Sequence, residues 1–157
     1  MNPFTRPLLT SIKAYQYHRA RGGAWHALQR KIARMRHLFW SVVTQSDIGL
    51  EARLGKGLLL PHPNGVVIHE DAQVGEDCMI MQQVTIGMIG AGEVPTVGNR
   101  VYIGAGAKIL GKLSVGDGAR IGANAVVMSD VPAGSTAVGI PARIVDRNRR
   151  QPRINRA

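Results

Sequence analysis

The sequence predicts a mainly β protein, a parallel β-helix preceded by a short α-helical segment, and three observations support this fold class. An aliphatic residue opens each six-residue unit from Ile48 onward, a small residue usually follows it, and a second small or aliphatic residue stands at the fifth place. All but two of the 19 glycines lie in residues 47–142. All the aromatic residues except Tyr102 lie in the first forty positions. A fixed hexapeptide period is typical of a parallel β-helix, in which three hexads complete one triangular coil.

The N-terminal segment is predicted to be helical. Apolar residues recur between Ala24 and Val43 at i, i+3, i+7, i+10 and i+14, and they are Trp25, Leu28, Ile32, Met35 and Phe39. Gly22-Gly23 interrupts the chain just before, so a shorter helix is predicted over about residues 8–20. We expect the apolar stripe to pack on the β-helix or on a neighbouring subunit. The alternative is a basic amphipathic helix that lies on an anionic membrane.

The hexads define the coils. Their openers stand at positions 48, 54, 60, 68, 74, 80, 86, 97, 103, 109, 115, 121 and 127, with two residues added after Leu60 and five after Ile86. The repeats therefore predict roughly four to five coils, stacked about 4.8 Å apart. We expect each opener to point inward and stack on its equivalent one coil away. The glycine after many openers is expected to supply corner backbone angles that other residues resist.

The net charge of +10 belongs to the two ends of the chain. Residues 1–46 hold eight Lys or Arg and no acid, and residues 143–157 hold six Arg and one acid, whereas residues 47–142 hold six basic and nine acidic residues. We therefore divide the chain into a basic helical segment, 1–46, a β-helix domain, 47–142, and a basic tail, 143–157. No nucleic-acid recognition motif accompanies the charge, so nucleic acid is not an expected partner.

Composition also bears on the compartment. The first thirty residues lack the continuous apolar stretch of a secretory signal, and no run of eighteen apolar residues predicts a membrane-spanning helix. The single cysteine, Cys78, excludes an internal disulfide, and its fifth place in a hexad predicts a core thiol. We expect a cytoplasmic protein, with membrane association as the alternative.

The first break in the hexads carries a candidate catalytic base. His62 stands between Pro61 and Pro63, and each proline restricts its own φ and the residue before it. A histidine held in this way loses little conformational entropy when it is oriented towards a substrate. Histidine is also a common general base near neutral pH. The other interpretation is a loop histidine without a catalytic role.

The stretch from Leu60 to Asp146 resembles the catalytic domain of bacterial serine acetyltransferases, a branch of the hexapeptide-repeat acyltransferases. The matching segments are His62-Pro63-Asn64-Gly65-Val66-Val67-Ile68, Gln82-Gln83-Val84-Thr85-Ile86-Gly87, residues 101–111 and residues 137–145. The resemblance implies a left-handed β-helix. It also implies transfer of an acetyl group from acetyl-CoA, as cosubstrate, to a hydroxyl of L-serine or a related small acceptor, without a metal.

The resemblance assigns roles to individual residues. His62 matches the general base that takes the proton of the acceptor hydroxyl. Asp47 matches the carboxylate that pairs with this histidine, fixes its tautomer and stabilises the imidazolium; its other interpretation is a cap at the junction between helix and β-helix. Glu70 matches an acidic residue near the acceptor site. His69 has no such match and is interpreted as a surface residue.

The resemblance also implies where the cofactor binds. Acetyl-CoA lies in the groove between two subunits of a trimer, because the histidine and the cofactor wall come from different chains. The matching backbone positions are Gly87, Ala105 and Ala123. The cations that match the phosphate-binding role are Lys108, Arg120 and Arg143.

Two departures from the family leave the acceptor open. The helical region is much shorter than in the family, where it builds hexamers, so a homotrimer is expected. Glu93-Val94 stands where serine enzymes carry an Arg-His pair, and Pro61 stands where they carry an aspartate. Glu93 at the acceptor site would reverse the local charge, which disfavours a carboxylate. A sugar or polysaccharide O-acetyltransferase is therefore the alternative.

Two other classes of protein are weighed against this one. A zinc-dependent carbonic anhydrase on the same fold needs three histidine ligands, whereas the β-helix carries only His62 and His69. A scaffold that keeps the β-helix without any chemistry is the non-enzymatic alternative.

Overall fold

Two α-helices and fourteen short β-strands make up the described part of the chain, residues 3–90 and 92–145 of this computed structural model. Helix α1 spans Thr5–Arg19 and α2 spans Ala24–Thr44. The strands are β1 Asp47–Ile48, β2 Arg53–Leu54, β3 Val67–Ile68, β4 Gln73–Val74, β5 Met79–Ile80, β6 Thr85–Gly87, β7 Thr96–Val97, β8 Tyr102–Ile103, β9 Lys108–Leu110, β10 Ser114–Val115, β11 Arg120–Ile121, β12 Val126–Val127, β13 Thr136–Val138 and β14 Arg143–Val145.

Three sheets form the walls of the β-helix. Their strand orders are β1-β3-β6-β9-β12, β10-β7-β4-β2 and β14-β13-β11-β8-β5, and every pairing is parallel except that of β13 with β14. Along the first sheet, Asp47 pairs with Val67, Val67 with Thr85, Thr85 with Lys108, and Lys108 with Val126. The steps of 20 and 23 residues are coils of 18 with two and five residues added at the predicted places. The predicted fold class and the register of the repeats are confirmed.

The predicted openers fill the interior of the coils. All are buried except Leu54, which is half-buried beside α1. The residues at the fifth place are buried as well, among them Cys78, whose Sγ lies 3.1 Å from the carbonyl oxygen of Gly98. Burial raises the pKa of the Cys78 thiol. The prediction of a core thiol is confirmed.

The glycines that follow the openers have a different role from the predicted one. None of them has a positive φ; the positive values fall two residues later, as at Gly57 and Gly106. A Cβ added to Gly104 would instead lie 2.6 Å from the backbone nitrogen of Ala123, one coil away. The predicted role in corner angles was therefore wrong, because all of these glycines except Gly87 are required by the close approach of neighbouring coils.

Helix α1 covers one end of the coil stack. Leu8 and Ile12 join the same hydrophobic core as the openers. The Thr5 hydroxyl donates to the carbonyl of Leu60 at 2.9 Å, and Gln16 Nε2 donates to two carbonyls of the first coil at 2.8 and 3.0 Å. The helix begins earlier than predicted, at Thr5. It supplies the cap that a solenoid needs where stacking stops.

Helix α2 packs chiefly on α1, and its predicted apolar stripe faces solvent. His37 Nδ1 lies 3.4 Å from the hydroxyl of Ser11 on α1. In the stripe, Trp25 is 65%, Met35 70% and Phe39 60% exposed. The stripe does not pack on the β-helix, because α1 already occupies that end of the coils; packing on a neighbouring subunit, the other half of the expectation, stays a prediction. Neither α1 nor α2 is long and apolar enough to cross a membrane.

The other end of the β-helix is closed by a reversal of the chain. Residues 143–145, which we assigned to the basic tail, form β14 and pair antiparallel with β13. The rest of the predicted tail, residues 146–157, lies outside the described residues.

Candidate active site

A shallow depression of about 280 Å³ on the sheet β1-β3-β6 gathers three of the predicted site residues. Asp47, Glu70 and Gly87 all line it, although they come from three successive coils. The other lining residues are Gly49, Val67, Ile68, His69 and Ile86. The depression is therefore the candidate acceptor side of the site.

Two glycines leave room for the depression. Gly49, His69 and Gly87 each follow an opener and stand in neighbouring coils. The His69 amide donates to the carbonyl of Ile86 at 2.9 Å, and the Gly49 amide donates to the carbonyl of Ile68 at the same distance. Gly49, His69 and Gly87 thus stack in one column across three coils, and the two neighbours of His69 in this column have no side chains. Our interpretation of His69 as an ordinary surface residue missed this position.

Asp47 begins β1, directly after the helical segment. Its amide donates to the carbonyl of Val66 at 2.8 Å, and its side chain is exposed. The carboxylate makes no hydrogen bond to any residue in 3–90 or 92–145, so the capping interpretation has no support here.

A buried histidine lies behind Asp47. Burial lowers the pKa of His37, while a hydrogen bond to the backbone of Ile48 and the charge of Asp47 raise it. Because burial has the largest effect, His37 is neutral at pH 7 and joins α2 to the start of β1. Sequence reasoning missed this contact, since nothing in the helical period marks a polar residue as inward-facing.

His62 lies in the loop between β2 and β3, and its side chain is exposed. The loop is held next to Asp47 by its backbone, because the Gly65 amide donates to the Gln45 carbonyl at 2.7 Å. Asn64 Nδ2 also donates to Gln45 Oε1 at 2.7 Å. No hydrogen bond or ion pair joins His62 to Asp47 in the described part of this single chain, so their pairing stays a prediction.

Glu93 lies away from the depression. Its Oε1 accepts from Lys112 Nζ at 3.2 Å, and both side chains are more than half exposed. The predicted acceptor contact of Glu93 is not seen in the single chain. Its charge is already compensated by a lysine.

Part of the predicted cofactor set stacks at the same corner of the β-helix as the loop of His62. The amide of Asn124, next to Ala123, donates to the carbonyl of Ala105 at 2.8 Å, so the two alanines occupy equivalent places in successive coils. Lys108 begins β9 nearby, and its Nζ donates to the carbonyl of Gln83 at 2.7 Å. These residues provide small side chains and a cation along one edge of the sheet that contains Asp47.

The two arginines of that set lie on a different sheet. Arg120, on β11, places its guanidinium 4.7 Å from the centre of the Tyr102 ring. Arg143 begins β14 and is exposed. Gly87 remains at the depression, so a molecule contacting all these residues must extend across a corner or between chains.

A second polar cleft, of about 550 Å³, adjoins the depression through Glu70. Its other lining residues are Arg19, Glu51, Arg53 and Asp71. Arg19 and Glu51 form an ion pair that ties α1 to the first coil. Apart from Glu70, the residues that line this cleft were not predicted to belong to the site, because they come from separate elements.

Comparisons with known proteins agree with this geometry. The family described as bacterial transferase hexapeptide (six repeats) matches residues 95–129. The serine acetyltransferase of Helicobacter pylori strain J99 is 46% identical over 133 residues, which are 79% of this chain and 77% of that protein. The soybean serine acetyltransferase complexed with serine is 38% identical with a TM-score of 0.77, covering 92% of this chain and 58% of that chain.

A crystal structure of a serine acetyltransferase in complex with CoA is 39% identical with a TM-score of 0.71 and covers 86% of this chain. The match covers 55% of that relative, so the present chain spans little more than half the length of the two solved relatives. The identity, the coverage and the shared coils confirm the predicted resemblance. The chain belongs to the serine acetyltransferase family of hexapeptide-repeat acyltransferases.

Proposed function

We propose that this protein transfers the acetyl group of acetyl-CoA to the hydroxyl of L-serine. One observation carries the proposal: Asp47, Glu70 and Gly87 line a single depression next to the loop that holds His62. Solved relatives with serine and with CoA support the two substrates. The ion pair between Glu93 and Lys112 lies outside the depression, so the Glu93 charge does not face a serine carboxylate bound there.

The proposed reaction is a direct acyl transfer. His62 takes the proton of the serine hydroxyl while the oxygen attacks the thioester carbonyl, and a C–O bond forms. When the C–S bond breaks, the imidazolium returns the proton to the CoA sulfur. Asp47 orients the imidazole and stabilises its charged form. Phosphate contacts from Lys108, Arg120 and Arg143 would hold CoA without taking part in bond making.

A thiol-release assay with acetyl-CoA tests the acceptor. We expect release of free CoA that depends on L-serine and saturates with it, and background release without an acceptor. A panel of free sugars and oligosaccharides, run at equal concentration, represents the polysaccharide alternative. Faster release with a sugar than with serine would contradict the proposal, and no release with any acceptor would favour a scaffold.

The proposed assembly is a homotrimer in which acetyl-CoA lies between two chains. The depression is shallow and open in the single chain, and His62 is exposed. Ala105 and Ala123 lie two and three coils away from Asn64 of the His62 loop, along the same corner of the β-helix. A second chain placed against this sheet would close the site, with the His62 loop of one chain facing the cofactor residues of the other.

We further propose that α2 lets the trimer associate with an anionic membrane surface from the cytoplasm. The exposed stripe of α2 is flanked by Lys31 and Arg36, and residues 1–46 contain no acid. The apolar side chains would insert at the boundary of the acyl chains, and the basic side chains beside them would contact the anionic headgroups. A second copy of α2 would bring like charges together without any acid to compensate them.

Vesicle co-flotation measures this association. We expect binding to vesicles that contain phosphatidylglycerol and little binding to pure phosphatidylcholine. Met35→Glu should lower the bound fraction several-fold, while Ile144→Glu, an equivalent change at an exposed residue on β14, should not. Light scattering without lipid should give three times the chain mass of 16.9 kDa. A mass twice that of the trimer would instead indicate that α2 forms a contact between copies. This outcome requires that Met35→Glu lowers the mass and that no vesicle binding is seen.

A further inference from the structure

We infer that His69 is an acceptor-binding residue, which donates a hydrogen bond from its Nε2 to the carboxylate of serine. This inference rests on the proposed function and adds to it the group that recognises the acceptor's carboxylate. His69 follows Ile68 at a place where most other coils carry glycine. A side chain at this place is therefore a departure from the chain's own repeat.

His69 lies between two glycines in the column of residues that lines the depression. Its column neighbours, Gly49 and Gly87, have no side chains, and all three residues line the same depression. The side chain is 28% exposed, so most of it is covered and part of it stays open to solvent. A small ligand in the depression would meet the exposed part.

Hydrogen bonding determines which ring nitrogen is available. The Asp71 amide donates to His69 Nδ1 at 3.2 Å, so Nδ1 is an acceptor and the neutral ring carries its proton on Nε2. Asp71 Oδ2 lies 3.7 Å from Nδ1 and would pair with it if the ring were protonated. In both charge states Nε2–H remains a donor, and it has no partner among residues 3–90 and 92–145.

The charges in the depression fit an amino acid with its two ionised groups. Asp47 and Glu70 are carboxylates, and the remaining lining residues, His69 apart, are glycine or aliphatic. Of the eight described residues that line the depression, only His69 has a side chain that can donate a hydrogen bond. The serine ammonium would lie towards Glu70, its carboxylate would bind His69, and its hydroxyl would point to His62.

This arrangement also compensates for the departure at Glu93-Val94. A depression with carboxylates alone would repel the serine carboxylate, since like charges facing each other disfavour binding. The N–H donor of His69 in the depression supplies the contact with the carboxylate that the loop lacks. The specificity for an acceptor that carries a carboxylate would then depend on one imidazole.

Steady-state kinetics of two variants test the inference. His69→Gly restores the residue of the neighbouring coils, so it is expected to fold, and it removes the donor. We expect its KM for serine to rise about 10-fold or more, with KM for acetyl-CoA within about twofold of the wild type. His69→Gln keeps a side-chain N–H and should recover part of the loss. With 2-aminoethanol, which lacks the carboxylate, wild type and His69→Gly should be equally slow.

Each outcome decides between the two proposals. Wild-type protein without serine turnover would overturn both the proposed function and the role of His69. Serine turnover with an unchanged serine KM in His69→Gly would overturn only the role of His69. If His69→Gly lost as much activity with 2-aminoethanol as with serine, only the role of His69 would again be overturned, because the result would show general damage to the site. Circular dichroism of His69→Gly should match the wild type.

Discussion

His62→Ala is expected to lower kcat for acetyl transfer by at least about 10²-fold, because it removes the general base that takes the proton of the acceptor hydroxyl. The side chain is exposed, and it makes no hydrogen bond with the described residues. Its removal should therefore cost little stability. Calorimetry should find the affinity for CoA nearly unchanged, because His62 is not one of the predicted cofactor-binding residues.

Two further variants make this result specific. Asp47→Asn should lower kcat less than His62→Ala, because the general base is still present, although the amide no longer fixes its tautomer or stabilises its charge. His26→Ala changes a histidine that faces His18 between the two helices and should leave kcat unchanged. Turnover by His62→Ala at the wild-type rate would remove His62 from the mechanism. If Asp47→Asn lowered the thermal stability without changing kcat, Asp47 would have a structural role instead of a catalytic one.

Gly104→Ala is expected to lower the free energy of unfolding by about 1–3 kcal/mol. The three atoms closest to the added Cβ all belong to the backbone of the next coil, at 2.6, 2.9 and 3.0 Å. Backbone atoms cannot turn aside as a side chain does, so the coils themselves must separate. Gly104 does not have a positive φ, so the effect measures close approach and not backbone conformation. Denaturation with urea, followed by circular dichroism, gives the value.

Gly22→Ala is the matched control for this prediction. A Cβ at Gly22 would meet nothing within 4 Å, and its φ is also outside the left-handed region. We expect it to be neutral, or stabilising by less than about 1 kcal/mol, because alanine restricts the unfolded chain. Equal losses of stability in both variants would contradict the role given to the close contact of coils.

The coils were predictable because each residue of a hexad has the same environment in every turn. A strict period places every opener inside, and the two breaks in the period locate the longer coils at steps of 20 and 23 residues. The corner glycines were found for the wrong reason. Whether a glycine is needed for its φ or for lack of a Cβ depends on the distance to the next coil, which the period does not contain.

The candidate site was predictable only in part. His62 stood out because the prolines beside it break the period, and Asp47 and Glu70 followed from the family resemblance. His69 was passed over, since its neighbours Gly49 and Gly87 are 20 and 18 residues away along the chain. The pairing of His62 with Asp47 remains a prediction, because each side chain is exposed in the single chain.

The six-residue period was sufficient to predict the β-helix and its register, because a repeated local pattern reports one repeated environment, and the matching segments, not the period, indicated the family. The apolar stripe of α2 had no such repeat, so which of its faces is covered depended on α1, which packs on the end of the coils first. The grouping of Asp47, His69 and Glu70 likewise depended on stacking, since three-dimensional neighbours on a β-helix are separated by a whole turn of sequence.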